Sequence, residues 1–579
     1  MWAIWVKRGA ELSTDHHLVV SWIRWWGKMP VRPGKPKRIV RVCWERLAEE
    51  PVRLIFNSHL RQNFDQISGE VRDAVKLKKE SYRAWLACGT PEAVSRYRQA
   101  KRSAASVIAK AKTRVWEEFG EDLESDFKLA PKRFWQTVRR LRRGKQCATS
   151  TVYSGDGVLL TSTEDVIGRW KEYFEDLLNP TDMFSSEEAE SRDMGIGLSI
   201  TGAEVTKVVK KLLGGKAPGV DEIRPEFLKA LDVVGLSWLT RLFNIAWTLG
   251  AVPLDWQTGV VVPLFKKGDR RMCSNYRGIT LLSLPGKVYA GVLEKRVRLI
   301  VEPRIQEEQC GFRPGRGTLD QLFTLSRILE GSWEFAQPVH MCFVDLEKAF
   351  DCVPRGILWE VLREYGVHGS LLRAIQALYK QSRSLVRIAG SKSDSFPVRV
   401  GLHQGCPLSP ILFIIFMDRI SRRSQGMEGV QFGDLRVTSL LFADDVVLLG
   451  TSGRELQLSL DRFAAECEAA GMRISTSKSE TMVLRRKRVE SPLWVGDRLL
   501  PQVEEFKYLG VLFMSDGTRE REIDRRIGAG SAEMRALYRS VVVKKELSHK
   551  ARLSIYRSIY VPTLTYGHEL WVMTERIRS

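Results

Sequence analysis

Two textures of apolar and polar positions divide the chain. After Ser199, apolar residues recur at helical spacing over Ala203 to Leu213, Pro225 to Leu231 and Ser237 to Leu249. They then contract into short runs at Gly259 to Phe265, Met341 to Leu346, Leu385 to Ala389, Thr438 to Phe442 and Val446 to Leu449, each of strand length. Helices and short strands in no regular alternation predict an α+β fold with a small antiparallel sheet covered by helices. Before Ser199 the pattern is mostly helical. Val71 to Phe119, rich in Ala, Glu, Arg and Lys and interrupted at Cys88-Gly89-Thr90-Pro91, predicts a helical pair. Arg133 to Lys145 interleaves aromatic and basic residues on a further helix, suited either to a phosphate backbone or to a small core behind a solvated face. Leu18 to Trp22 reads as a short strand, residues 27 to 39 with three prolines and five basic residues as a linker, and Ser185 to Asp193 as an acidic surface loop. No internal repeat is visible.

Charge sharpens the picture. The 579 residues carry 91 Lys and Arg against 69 Asp and Glu, a net charge of +22, which attracts polyphosphates and makes nucleic acid the first partner to consider. Residues 51 to 150 alone hold 22 basic and 11 acidic residues. The nine cysteines are scattered, with no C-x2-C or C-x4-C spacing and no spaced histidine pair, which argues against a disulfide framework or a structural zinc site. The longest strongly apolar run, Ile411 to Met417, falls short of the ~20 residues that span a bilayer, and no signal-peptide core is present, so an intracellular protein without membrane contact is expected.

Candidate chemistry lies in three aspartates. Met341-Cys342-Phe343-Val344 is a strand that ends in Asp345; 99 residues after Asp345, Asp444-Asp445 sits between the apolar runs Leu440 to Ala443 and Val446 to Leu449, the pattern of a hairpin with acids at its tip. Carboxylates brought together without basic neighbours repel, unless divalent cations stand between them. Hard ions such as Mg2+ suit carboxylate and phosphate oxygens, and a pair of them can serve phosphoryl transfer. An isolated Asp-Asp pair is more often a plain turn, although a turn needing only polarity is better served by Asn-Gly.

Phe442-Ala443-Asp444-Asp445 resembles the F/Y-x-D-D hairpin of reverse transcriptases, and Phe343 to Asp351 resembles their first aspartate motif. Between them, Gly401 to Pro410 is similar to the family's x-Q-G-x-x-x-S-P segment. Upstream, Pro263 to Asp269 with Asn275 to Ile279, and Gln309 to Thr318, resemble fingers motifs of the non-LTR, LINE-type retrotransposon branch; Gly471 to Glu480 and Tyr508-Leu509-Gly510 fit its later palm motifs. The resemblance runs from about Lys216 to Gly510. It implies a right-hand polymerase of fingers, palm and thumb with an antiparallel palm sheet, preceded here by a basic helical arm, and an RNA-directed DNA polymerase that extends a DNA 3′-hydroxyl on an RNA template.

The same resemblance implies the roles. Asp345 and Asp444 bind two catalytic Mg2+ ions, Mn2+ being the alternative, with Asp445 the third acid. Lys266 and Arg277 occupy the positions that hold the triphosphate, with Lys267 a rival for the first. Phe350, five residues beyond Asp345, takes the place of the aromatic under the sugar that rejects a 2′-hydroxyl; its alternative is a core ring. Gln404 touches nucleotide or template, Gly405 permits close backbone approach, and Lys478 protonates the leaving pyrophosphate unless it is an ordinary surface lysine. The partners implied are template RNA, a DNA primer or nicked target DNA, and dNTPs, in a ribonucleoprotein of cytoplasm and nucleus.

The expected layout is a remnant of an apurinic-type endonuclease over 1 to 26, a linker over 27 to 50, a basic helical extension over 51 to 198, fingers over 199 to 340, palm over 341 to 514 (reverse transcriptase domain about 246 to 514) and a thumb over 515 to 579. The remnant rests on Ser13-Thr14-Asp15-His16-His17, similar to the closing S-D-H strand of that nuclease. Without upstream metal-binding acids it is expected to be inactive. The thumb rests on the helical patterning from Arg521 and on Tyr560 to Gly567. Two other readings are a silent nucleic-acid-binding transposon relic and a group II intron maturase; the latter calls for a maturase domain and an H-N-H nuclease, which the sequence does not display.

Overall fold

The computed structural model describes residues 69–129, 151–180, 197–433, 435–484, 490–538 and 549–571. The expected endonuclease strand, the Arg133 to Lys145 helix and the Ser185 to Asp193 loop lie outside them. The chain divides into two compact units, one of Met1–Gly144 with Arg526–Tyr566, the other of Lys145–Arg525 with Gly567–Ser579.

In the first unit the expected helical pair is present as Gly69–Cys88 and Pro91–Leu129. The break falls where Gly89 takes a left-handed φ of 64° and Pro91 begins the next helix, a position where its missing N–H is of no consequence. Trp85 stacks on Tyr97 across the break, with ring centroids 5.3 Å apart. Ala100, Ala104 and Ile108 recur every fourth residue and are buried, a small-residue face that admits the close packing of His549–Ile555 against this helix.

The second unit is built on two sheets. The four-stranded sheet runs Ser439–Phe442, Asp445–Gly450, Val339–Val344, Glu480–Leu484 in spatial order, every pair antiparallel. Side chains alternate between its faces. Cys342, Val344, Val446 and Leu448 face a core shared with the helix Ser409–Ser424, whose Ile411 to Met417 are all buried. Met341, Phe343, Val447, Leu449 and Met482 face a second core, closed by Leu322, Leu325 and Leu329 of the helix Thr318–Glu334 and by Tyr508, Val511 and Phe513. With both faces covered, the strands read as unbroken apolar runs. The segment Ile411 to Met417 is thus the centre of a buried helix, and no helix among the described residues is long and apolar enough to cross a membrane.

The second sheet corrects the expectation of one antiparallel sheet. Tyr276–Leu281, Thr258–Phe265 and Arg383–Ile388 lie side by side, and the last two run parallel, with Val260 opposite Leu385. The long excursion between Phe265 and Arg383 supplies the crossover that parallel strands require. Val261 and Val386 pack there with Val166, Trp170 and Phe174 of the helix Thr163–Leu178, so that part of the 51 to 198 segment belongs to this unit.

Candidate active site

The hairpin turn is the tightest available. Phe442 pairs with Asp445, leaving Ala443 and Asp444 as the two-residue loop, with Ala443 at φ 62°. A non-glycine residue at positive φ is disfavoured and needs the surroundings to hold it. Here Gln309 holds it: its buried Oε1 accepts from the N–H groups of Ala443 (3.0 Å) and Gly311 (2.8 Å). Cys310 N–H donates to the Leu441 carbonyl (2.9 Å), and Leu441 N–H to that of Glu308 (2.9 Å). A Cβ on Gly311 would meet the Ala443 nitrogen at 2.3 Å, so this backbone approach requires glycine. Gln309 and Gly311 fall within a family-like motif, yet the sequence pattern by itself gives neither a role.

Asp345 follows directly on the central strand. Since Val446 pairs with Val344, the next step of the register sets Asp345 across from Asp445. The Asp345 backbone is clamped on both sides: its N–H donates to Ser479 Oγ (3.0 Å), and its carbonyl accepts from Ser475 N–H (2.8 Å). Ser479 is fully buried, and nothing in its sequence surroundings marks it out. The turn that carries these serines also presents Lys478, whose exposed Nζ lies 3.6 Å from Asp345 Oδ2.

Asp445 retains solvent access, but the protein mass around it, and then the charges of Asp444 and Asp345, push its carboxyl up to about 6. Asp445 thus feels both of the other acids. Among the described residues no three His, Cys, Asp or Glu side chains stand gathered as a finished metal cage. Oxygen donors carrying surplus negative charge, one of them paired meanwhile with Lys478, are nevertheless the donor set that hard divalent ions favour. Below the hairpin, Tyr508 buries a hydroxyl that has no hydrogen-bond partner among the described residues, its proton held firmly by burial and by Asp445.

A second polar cluster begins six residues downstream. Arg277 Nε donates to Gln404 Oε1 (2.7 Å), and Gln404 Nε2 donates to Asp351 Oδ1 (2.6 Å). Burial raises the Asp351 carboxyl, against the pull of Gln404, Arg277, Lys348 and Lys266. Two of the expected triphosphate-binding cations, exposed Lys266 and Arg277, are thereby placed around one half-buried acid to which the sequence pattern assigns no role. Gly405 sits at φ 121°, where a Cβ would lie 2.8 Å from the Thr280 carbonyl oxygen. Half-buried Phe350 stacks on Phe413 at 4.0 Å and 18° and meets Phe312 edge-on at 6.2 Å. One face of the ring is thus packed, and the side chain as a whole keeps partial exposure. Neighbouring His403 is buried against the Tyr379 ring, and burial with the charge of Arg355 brings it down to about 3, a neutral structural group.

Residues 265–513 match the family model described as reverse transcriptase (RNA-dependent DNA polymerase). The chain carries a reverse transcriptase domain. The relatives it matches are named for transposons and retrotransposable elements. It is 27% identical to the probable RNA-directed DNA polymerase from transposon X-element of Drosophila melanogaster over 64% of this chain and 41% of that one. It is 28% identical to the putative 115 kDa protein in type-1 retrotransposable element R1DM of the same fly, over 82% of this chain and 45% of that one. A Xenopus laevis relative, the transposon TX1 uncharacterized 149 kDa protein, matches at 25% identity over 66% of this chain and 30% of its own. The chain thus spans less than half the length of these relatives. Among solved structures, an apo telomerase from Candida tropicalis aligns at a TM-score of 0.34 and 13% identity, over 46% of this chain and 54% of that one, too distant to carry an argument.

Proposed function

We propose that this protein is an RNA-directed DNA polymerase acting by nucleotidyl transfer, with the 3′-hydroxyl of a DNA primer or nicked target attacking the α-phosphate of a dNTP paired to template RNA. The observation that carries the reading is the register that sets Asp345 across from Asp445, beside the turn bearing Asp444, with the Asp445 carboxyl raised by burial and then by its two acidic neighbours. The four-stranded sheet and its helices then serve as palm (341 to 514), the region 199 to 340 as fingers, and 515 to 579 as thumb.

Bound at Asp345, Asp444 and Asp445, two Mg2+ ions would neutralise the acids, sharpen the attacking oxygen and steady the leaving one. The protein's own groups do the rest. Lys478, whose exposed ammonium lies 3.6 Å from Asp345 Oδ2, is the group that would give a proton to departing pyrophosphate. Lys266 and Arg277 hold the triphosphate, and Gln404, fastened between Arg277 and Asp351, fixes where that guanidinium stands. The open side of Phe350 lies under the sugar and excludes a 2′-hydroxyl by volume.

The test is primer extension on poly(rA)/oligo(dT) with purified protein and Mg2+. Asp444→Asn should abolish extension and leave RNA binding within a few-fold, because it removes one ligand charge at the chemical step while backbone contacts are spread over many cations. Extension at the wild-type rate by this variant would exclude the site.

A further inference from the structure

Outside the carboxylate cluster, the second unit contains a half-open cavity of about 810 Å3 whose wall is strongly unbalanced in charge. Among the described residues, Arg355, Lys380, Arg383, Arg399 and Arg473 line it, against Glu468 alone. Elsewhere in this unit arginines are matched with acids, as Arg296 with Glu204, Arg313 with Glu302 and Arg419 with Glu364. In the cavity the pattern differs. Among the described residues Arg355 donates only to neutral carbonyls: Nε to Gly401 (3.3 Å), Nη1 to Tyr379 (3.1 Å) and Val398 (2.8 Å), Nη2 to Val400 (3.3 Å). Arg383 binds the hydroxyl and carbonyl of Ser395, and Lys380 and Arg399 are exposed and make no ion pair among the described residues.

Like charges gathered around one space repel, and an anion within that space removes the penalty. The wall also offers neutral donors. The helix Arg355–Glu364 begins here behind Pro354, which caps it with no side-chain hydrogen bond, and Gly356 and Ile357 of its first turn line the cavity. Its unmatched N–H groups add positive potential beside the guanidinium. We propose that this cavity binds a short polyphosphate, either inorganic pyrophosphate or the phosphate tail of a nucleotide, at a site separate from the three aspartates. Lys380 and Arg399, exposed on the wall that holds the other cations, suit an anion of more than one phosphate, and the volume is that of a small-molecule site. Its position fits traffic to and from the carboxylates: Cys352 in the wall adjoins Asp351, and the carbonyl of Arg473 accepts from Glu347 N–H, two residues past Asp345. The charge argument holds whether or not those carboxylates carry out nucleotidyl transfer.

The test is isothermal titration of the full chain, with EDTA present, by inorganic pyrophosphate in one arm and dATP in the other. Chelation silences any phosphate binding that runs through metal on the aspartates. One site per chain is expected in EDTA, retained in Asp444→Asn and weakened about tenfold or more in a Lys380→Glu, Arg399→Glu double variant. These two residues are exposed, so the variant should fold, as circular dichroism and its melting temperature would verify. Equal binding in the two arms assigns the site to the polyphosphate itself, and binding of dATP alone assigns it to the nucleotide. No binding in EDTA, binding lost in Asp444→Asn, or binding untouched by the double variant would each overturn the proposal. Loss of single-stranded RNA affinity in the double variant, with no polyphosphate bound by the wild type, would overturn it in favour of an RNA backbone contact.

Discussion

Asp445 is the residue whose environment makes the plainest commitment about pH. Its carboxyl is raised to about 6, first by burial and then by Asp444 and Asp345, while an unfolded chain leaves it near the ordinary carboxylate value. The native state therefore holds an extra proton between those two values, and the stability of the metal-free protein falls as pH climbs through that window. Asp445→Asn carries no such charge. In EDTA its melting temperature should equal that of the wild type near pH 4 and exceed it above about pH 7, the difference being worth ~1 kcal/mol or less because the side chain remains open to solvent. Mg2+ should raise the wild-type melting temperature more at pH 8 than at pH 5, since the cation competes with the proton. An Asn variant no more stable than wild type at pH 8 would mean that the acids do not crowd one another. Phe350 makes a second commitment at this scale. One face is spent on Phe413, so Phe350→Ala should cost about 2 kcal/mol of stability as well as admit ribonucleotides. Competition between rNTPs and dNTPs in the extension assay reads the second effect, and unchanged rejection would leave Phe350 a packing residue only.

At the scale of elements, the hairpin depends on a neighbour far away in sequence. Gly311 lets its backbone lie against Ala443, where a methyl group would sit 2.3 Å from the nitrogen. Gly311→Ala should therefore displace the Ala443-Asp444 turn and lower extension by about tenfold or more, for a misplacement near 1 Å is enough for losses of that order. Its melting temperature should drop by only a few degrees. A fully active Gly311→Ala enzyme would show that the turn holds itself. Strands and acids of this kind are legible in the sequence: Met341 to Leu346, Thr438 to Phe442 and Val446 to Leu449 stand out as apolar runs because both faces of their sheet are covered. The pins are not. Gln309, Ser479 and Asp351 act through hydrogen bonds to residues 53 to 134 positions away, and neither period nor composition records such a bond. The parallel pairing of Thr258–Phe265 with Arg383–Ile388 is hidden for the same reason, since a short apolar strand carries no mark of its partner's direction.

For the whole molecule, the question is what the basic surplus does, and its distribution divides the answer. The described helical pair, residues 69 to 129, holds 13 basic and 10 acidic residues, whereas residues 131 to 145 hold seven basic residues and no acid. The pair packs through Ala100, Ala104 and Ile108, and His549–Ile555 lies against it, so its first duty is structural. Deleting residues 71 to 129 should uncover Ile555 and Ile559 and give poorly soluble protein, with little bearing on salt dependence. Replacing the seven basic residues of 131 to 145 with glutamine should leave folding intact and act on RNA instead. On a single strand, every phosphate that the protein ceases to neutralise takes about 0.7 off the slope of log affinity against log salt, so the slope should shrink by about 5 if all seven cations engage. Extension on a saturating short template-primer should persist, because the aspartates belong to the other unit. Filter binding over a salt series measures the slope. A slope unchanged by the seven substitutions, with RNA affinity also unchanged, would remove this segment from the nucleic-acid path and return the attraction to the cations of the catalytic unit.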